Sequence, residues 1–151
     1  MQLKGSVDIN APRDIVWRFL TDPQAVGECA PGVESVEVIV PDQKFQAQAA
    51  IGFGSVKATF ITVVEWVALI PPERAQLKAH GDAPGSAADI TSEINLTDLP
   101  AGGTRLTWSA EIVILGKIAG LASRMMGGVS KKLSRQFFEC MKGQIETEGL
   151  A

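Results

Sequence analysis

The stretch Leu106–Thr147, LTWSAEIVILGKIAGLASRMMGGVSKKLSRQFFECMKGQIET, changes its periodicity part-way along. Up to Ile114 the apolar residues fall at every second position: Leu106, Trp108, Ala110, Ile112 and Ile114. That alternation marks a strand with one buried face. Beyond Lys117 the step becomes three or four, through Ile118, Leu121, Ala122, Met125, Val129, Leu133, Phe137 and Met141. The spacing predicts an amphipathic helix from Lys117 to about Thr147, roughly 45 Å long at 1.5 Å per residue. Lys117, Arg124, Lys131, Arg135 and Lys142 fall on its opposite side. A solitary helix must bury its apolar stripe against another layer. What precedes it reads as a sheet.

Leu3, Val7 and Ile9 alternate with Lys4, Ser6 and Asp8 in a first strand. Asn10-Ala-Pro12 then predicts a helix start, with Asn10 as the capping side chain and a helix through Val16-Trp17 to about Leu20. Asp22-Pro23 begins a second short helix that Ala30-Pro31-Gly32 closes. Period two returns at Val36, Val38 and Val40, then at Phe45, Ala47, Ala49 and Ile51, and then from Val56 through Phe60 to Trp66. Ala75, Leu77 and Ala79, and then Ala88 through Ile94 to Leu96, follow the same rule. The separators are Pro41-Asp42, Gly52-Phe-Gly54, Pro71-Pro72, Asp82–Gly85 and Pro100–Gly103. Short turns between successive strands predict an antiparallel meander. The expected class is therefore α+β: a seven-stranded curved antiparallel sheet, two short helices after the first strand, and one long C-terminal helix over the concave face. One domain over 1–151 suits the length.

Composition narrows the function. Hydrophobic residues make up 46% and charged residues 21%, as in ordinary globular chains. A net charge of −3 argues against a general nucleic-acid binder. Cys29 and Cys140 are the only cysteines. They make no disulfide framework and are not spaced as a metal site, so free thiols in a reduced, cytoplasmic setting are expected. Met1–Asn10 is too polar for a signal peptide, and no uncharged apolar run reaches the ~18 residues of a membrane span.

Catalytic signatures are not found. His80 is the sole histidine, and it shares parity with Lys78 and Asp82, which puts it in water. There is no tyrosine. No HExxH, CxxC, calcium-loop or phosphate-loop pattern occurs, and Gly52-Phe-Gly54 is too short for a nucleotide fingerprint. Glu65, Asp89 and Glu111 have outward parity. No catalytic residue, metal or cofactor is expected.

The inward parity carries many small residues: Ala47, Ala49, Ala58, Ala79, Ala88 and Ala110. Two readings stand side by side. The alanines let the helix sit closer, or they leave a cavity where a bent sheet and a straight helix diverge. Met125 and Met126 suit an irregular apolar space or an ordinary core. Gly120, Gly127 and Gly128 weaken the helix, and Gly127-Gly128 marks a bend, a hinge or close packing. If a cavity exists, its candidate wall is Trp17, Phe45, Ala49, Phe60, Leu77, Ile94, Trp108, Leu121, Met125, Met126 and Val129. The basic row Lys117, Arg124, Lys131, Arg135 and Lys142 is either a solvated face or a contact for an anionic membrane or acidic partner.

Particular motifs carry a resemblance. They are Met1-Gln-Leu-Lys-Gly5, Ala11-Pro12, Val16-Trp17, Asp22-Pro23, Cys29-Ala-Pro31-Gly32 with Glu34, Gly54-Ser-Val-Lys57 and Phe60. Pro71-Pro72, Gly81, Gly85, Gly103-Thr104, Gly116-Lys117, Leu121-Ala122, Ser123-Arg124, Lys132-Leu133 and Phe137-Phe138 complete it. With these, nearly the whole chain resembles the carbon monoxide dehydrogenase CoxG family, within the START/SRPBCC helix-grip superfamily. The resemblance implies an apolar tunnel and a role beside molybdenum hydroxylases of the carbon monoxide dehydrogenase type. It implies either tethering of such an enzyme to the membrane or carriage of a quinone between membrane and enzyme. Two departures are visible. Many members carry a long tail after the helix, whereas this sequence stops at Ala151, and Val33 stands where a second cysteine is frequent.

Three functions follow as expectations. The first is a non-catalytic binder of an apolar molecule, an isoprenoid quinone or other lipid, accessory to a molybdenum hydroxylase. The second is an assembly factor or membrane adaptor for that enzyme, peripheral at the inner face of the membrane. The third is a small polyketide cyclase-like enzyme, which requires an acid or base pointing inward.

Overall fold

The computed structural model describes residues 1–149. β1 (Gln2–Ile9) leads into α1 (Arg13–Leu20) and α2 (Pro23–Cys29). Six strands follow: β2 (Val33–Val40), β3 (Lys44–Phe53), β4 (Val56–Ile70), β5 (Arg74–Ala83), β6 (Ser86–Asp98) and β7 (Thr104–Gly116). α3 (Ala119–Gly149) comes last. The strands form one antiparallel sheet in the order β1-β7-β6-β5-β4-β3-β2, so β1 and β2 are its edges.

Register sorts the side chains by face. One cross-strand row runs Phe45, Val64, Ala79, Ile90 and Ile112, and the next runs Trp66, Leu77, Ser92, Ala110 and Leu3. Both lie on the face that α3 covers. The alternate row, Lys44, Glu65, Lys78, Thr91, Glu111 and Gln2, lies on the convex side. The inward parity read from the sequence is the parity observed.

The core divides into two clusters. The first joins the strand ends Ile9, Leu96 and Leu106 to Val16, Phe19, Leu20 and Cys29 of α1 and α2, and to Met141 and Ile145 of α3. The second joins Phe53 to Ala122 and Met126 near the start of α3, with Leu3, Ile51, Ile112 and Ile114 packed around them. In the first cluster the buried Thr104 hydroxyl donates to the Ala11 carbonyl at 2.7 Å, so its burial leaves no unmet donor.

Several expectations are corrected. Cys29 and Cys140 are not free thiols: they form a disulfide with Cα atoms 5.4 Å apart, tying α2 to α3. They lie 111 residues apart, and only the packing of α2 against α3 brings them together. A disulfide also runs against the reduced setting that cysteine usage suggested. Asn10 does not cap α1: the N-cap is Pro12 and accepts no side-chain hydrogen bond. Asp22 does cap α2, its carboxylate accepting from the Gln24 N–H at 3.0 Å. Gly52-Phe-Gly54 is not all turn, because β3 continues through Phe53, which is 2% exposed and anchors the second cluster. Lys117 precedes α3 and sits in the turn from β7, where Gly116 at φ +94 lets the chain pass the Gly85 carbonyl that any Cβ would strike.

α3 is unbroken through Gly127-Gly128. A Cβ at Gly120, Gly127 or Gly128 would meet no atom within 4 Å. These glycines therefore do not serve close packing against the sheet.

Candidate functional site

α3 spans the concave face from rim to rim. Its contacts run to β1 and β7 on one side, to β3 on the other, and to α1 and α2 at its far end. The central strands β4, β5 and β6 lie beneath it with few such contacts. On that face Leu96 and Ile94 of β6 join the first cluster, and Phe60, Ala75 and Ala79 are buried outside both clusters. Val64, Trp66, Leu77 and Ile90 remain half-buried although they face the helix side of the sheet. Well-packed interior side chains lose nearly all exposure. The partly exposed patch between the two clusters, interrupted by the buried Phe60, Ala75 and Ala79, is the candidate hollow.

The sequence-derived wall residues distribute around this hollow in three groups. Phe45, Ala49, Phe60 and Leu77 stand on the inner face of β3, β4 and β5, with Ala49 paired to Phe60 across the strands. Trp17, Ile94 and Trp108 pack against the first cluster at one end. Leu121, Met125, Met126 and Val129 belong to the second cluster at the other. Trp66, Val64 and Ile90 share the same face and were missed from the sequence. Their signal was available, since Val64 and Trp66 continue the parity of Phe60.

Polarity on this face is low. Among the paired strand residues it carries the hydroxyls of Thr62, Ser86, Ser92 and Thr104 and, at the end of β6, the Asp98 carboxylate, which Arg13 holds at 3.0 Å. Ser92 Oγ donates to the Ser109 carbonyl at 2.9 Å. The other ionisable strand groups lie outside. Glu65 pairs with Lys78 on the convex face, and Arg105 holds Asp8 through Nε at 2.8 Å. The Arg105 hydrogen bond lowers the Asp8 carboxyl below its ordinary range. His80 is exposed, as its parity implied, but it is not alone. Its Nδ1 lies 2.6 Å from Asp89 and its Nε2 lies 3.1 Å from Asp82. Hydrogen bonding to Asp89, then to Asp82, raises the imidazole pKa.

The basic row divides where the structure places it. Lys131, Arg135 and Lys142 line a cleft of about 480 Å³ between α3 and β1, which Lys4 joins from the strand. Arg124 lines a second cleft of about 620 Å³ between α3 and the β3–β4 hairpin. Lys117 is exposed in the turn before the helix. Gly127 faces the first cleft and Gly128 the second, which explains their open surroundings.

A family model for CoxG of carbon monoxide dehydrogenase matches residues 5–146. The chain belongs to the CoxG family. The match runs from the middle of β1 to the last turns of α3, so the linings of both clefts lie within the CoxG region except for Leu3 and Lys4. Among solved structures, the CoxG chain is similar to a conserved protein from Geobacillus kaustophilus, at 28% identity and TM-score 0.89, covering 97% of this chain and 96% of that one. It is also similar to the Zhui aromatase/cyclase from Streptomyces sp. R1128, at 20% identity and TM-score 0.74, covering 97% and 93%. A further neighbour is protein CV1439 from Chromobacterium violaceum, at 20% identity and TM-score 0.67, covering 96% and 97%. These likenesses place CoxG in the helix-grip fold shared with the cyclases. No curated protein matches the chain. Among the described residues no helix is long and apolar enough to cross a membrane.

Proposed function

We propose that this CoxG chain is a non-catalytic carrier that holds an apolar lipid-like molecule, an isoprenoid quinone in the favoured case, between sheet and helix. The observation that carries the reading is the partial exposure of Val64, Trp66, Leu77 and Ile90 on the inner face of β4–β6, beneath a helix whose contacts lie at the rims. Each ~100 Å² of ligand surface buried there contributes about 2.5 kcal/mol. Phe45, Ala49, Phe60 and Leu77 form the floor, with Trp17, Ile94 and Trp108 at one end and Leu121, Met125, Met126 and Val129 at the other. The family supports a place beside a carbon monoxide dehydrogenase-type molybdenum hydroxylase, with the carrier working at the membrane surface. Native mass spectrometry after detergent-free purification tests the proposal. An adduct of lipid or quinone mass is expected, and a clean apoprotein that also fails to take up added quinone would contradict it.

A second reading, an assembly factor or membrane adaptor, is favoured by one observation. Lys117, Arg124, Lys131, Arg135 and Lys142 form no ion pair among the described residues. Co-purification of hydroxylase subunits, lost on Lys131→Glu/Arg135→Glu, tests it. A cyclase-like activity requires an inward acid or base, and among the paired strand residues the one ionisable group of inner parity is Asp98, exposed at the end of β6 and held by Arg13.

A further inference from the structure

The cleft between β1 and α3 combines features that the hollow lacks. Its floor is apolar and lies across the gap between the two clusters: Leu3 packs with the second, while Val7, Trp108 and Phe138 pack with the first. Its rim carries Lys131, Arg135 and Lys142 of α3 against a single carboxylate, Glu139, while Lys4 borders it from the edge strand with convex parity. None of the three helix cations forms an ion pair among the described residues, although the charge of Lys142 is felt by Asp8. Gly5 shapes the floor, since a Cβ there would come within 2.8 Å of the Trp108 indole nitrogen. The hydroxyls of Ser130 and Ser134 also line the cleft and add neutral hydrogen-bonding capacity. Three unpaired cations over an aromatic floor are complementary to an anionic head on an apolar chain.

We infer that the β1–α3 cleft is the mouth of the hollow and binds the anionic phosphate or carboxylate head of an amphiphile whose chain enters beneath α3. This rests on the carrier reading and extends it from neutral cargo to acidic lipids. The head sits on Lys131, Arg135 and Lys142, and the chain follows Trp108 inward. A cation near an anionic head contributes about fivefold in affinity.

Calorimetric titration with dodecyl phosphate, and with dodecanol as its uncharged counterpart, tests the inference. The wild-type chain should prefer dodecyl phosphate. Lys131→Gln/Arg135→Gln should weaken dodecyl phosphate by about 30-fold and leave dodecanol unchanged. Lys117→Gln/Arg124→Gln, which lies outside the cleft, should alter neither. Equal affinity for the two compounds, or a preference that survives Lys131→Gln/Arg135→Gln, would overturn the inference. Failure of the carrier reading looks different, because dodecanol and quinone would then not bind at all. Sedimentation with phosphatidylcholine vesicles, with and without phosphatidylglycerol, identifies the source of the head. Retention only on the anionic vesicles, lost in Lys131→Gln/Arg135→Gln, assigns it to a bilayer lipid. Binding of dodecyl phosphate without vesicle retention assigns it to a dispersed amphiphile.

Discussion

Along β6, Leu96 is 2% exposed while Ile90, on the same face, keeps part of its surface. Along β7 the same contrast separates Leu106, at 1%, from Ala110. Parity and chemistry are alike within each pair, and only the cover differs. Leu96 and Leu106 lie under α1, α2 and the C-terminal half of α3, whereas Ile90 and Ala110 lie where α3 passes overhead toward the rims. The difference teaches that alternation tells which face is covered, and the helix path decides whether that cover touches. One end of the concave face is a closed core, and its middle keeps exposed surface at Val64, Trp66, Leu77 and Ile90 beside the buried Phe60 and Ala79.

Perturbing the packed end should cost most. Cys29→Ser/Cys140→Ser removes a link across 111 residues within the first cluster. Urea unfolding should show a loss of about 4 kcal/mol, and an unchanged midpoint would mean that the link does not hold α3 to α2. Met141→Ala opens a cavity at a fully buried site and should cost about 3 kcal/mol in the same assay. A loss below about 1 kcal/mol would erase the contrast between the two regions.

The hollow should respond in the opposite sense. Added methylenes in a filled core typically cost about 1–3 kcal/mol. Ala110→Leu should instead cost under about 1 kcal/mol, because there is room for them. Strong destabilisation, read by thermal unfolding, would mean that the space is already occupied.

The smallest effect belongs to the convex face. The carboxylates of Asp89 and Asp82 raise the folded pKa of His80 above its ordinary value of 6.5. The contribution to stability is therefore fully present below about the unfolded value and fades as pH rises through the higher folded value. His80→Asn should remove that part of the pH dependence in a series of unfolding midpoints. An identical profile for the variant would assign the dependence elsewhere.

How far the sequence reaches follows from the same contrast. Strand parity was legible at Phe60, Leu77 and Ile94 because a half-buried strand must alternate. The long helix was legible because its apolar step changes at Lys117. The Cys29–Cys140 link was not, because nothing local pairs residues on α2 and α3. Phe53 was hidden between two glycines that read as a turn. The β1–α3 cleft was not legible either, because β1 and α3 meet only in the folded chain. The choice between close-packed and space-leaving alanines was open for the same reason, since it depends on the path of α3.

The central claim is that the partly exposed middle of the sheet receives an apolar molecule. Isothermal titration of the wild type and Ala110→Leu with a short-chain quinone, at several temperatures, tests it most directly. Saturable binding with a negative heat-capacity change, abolished in Ala110→Leu, is the result the account predicts. No saturable heat in the wild type, or undiminished binding in the filled variant, would contradict it.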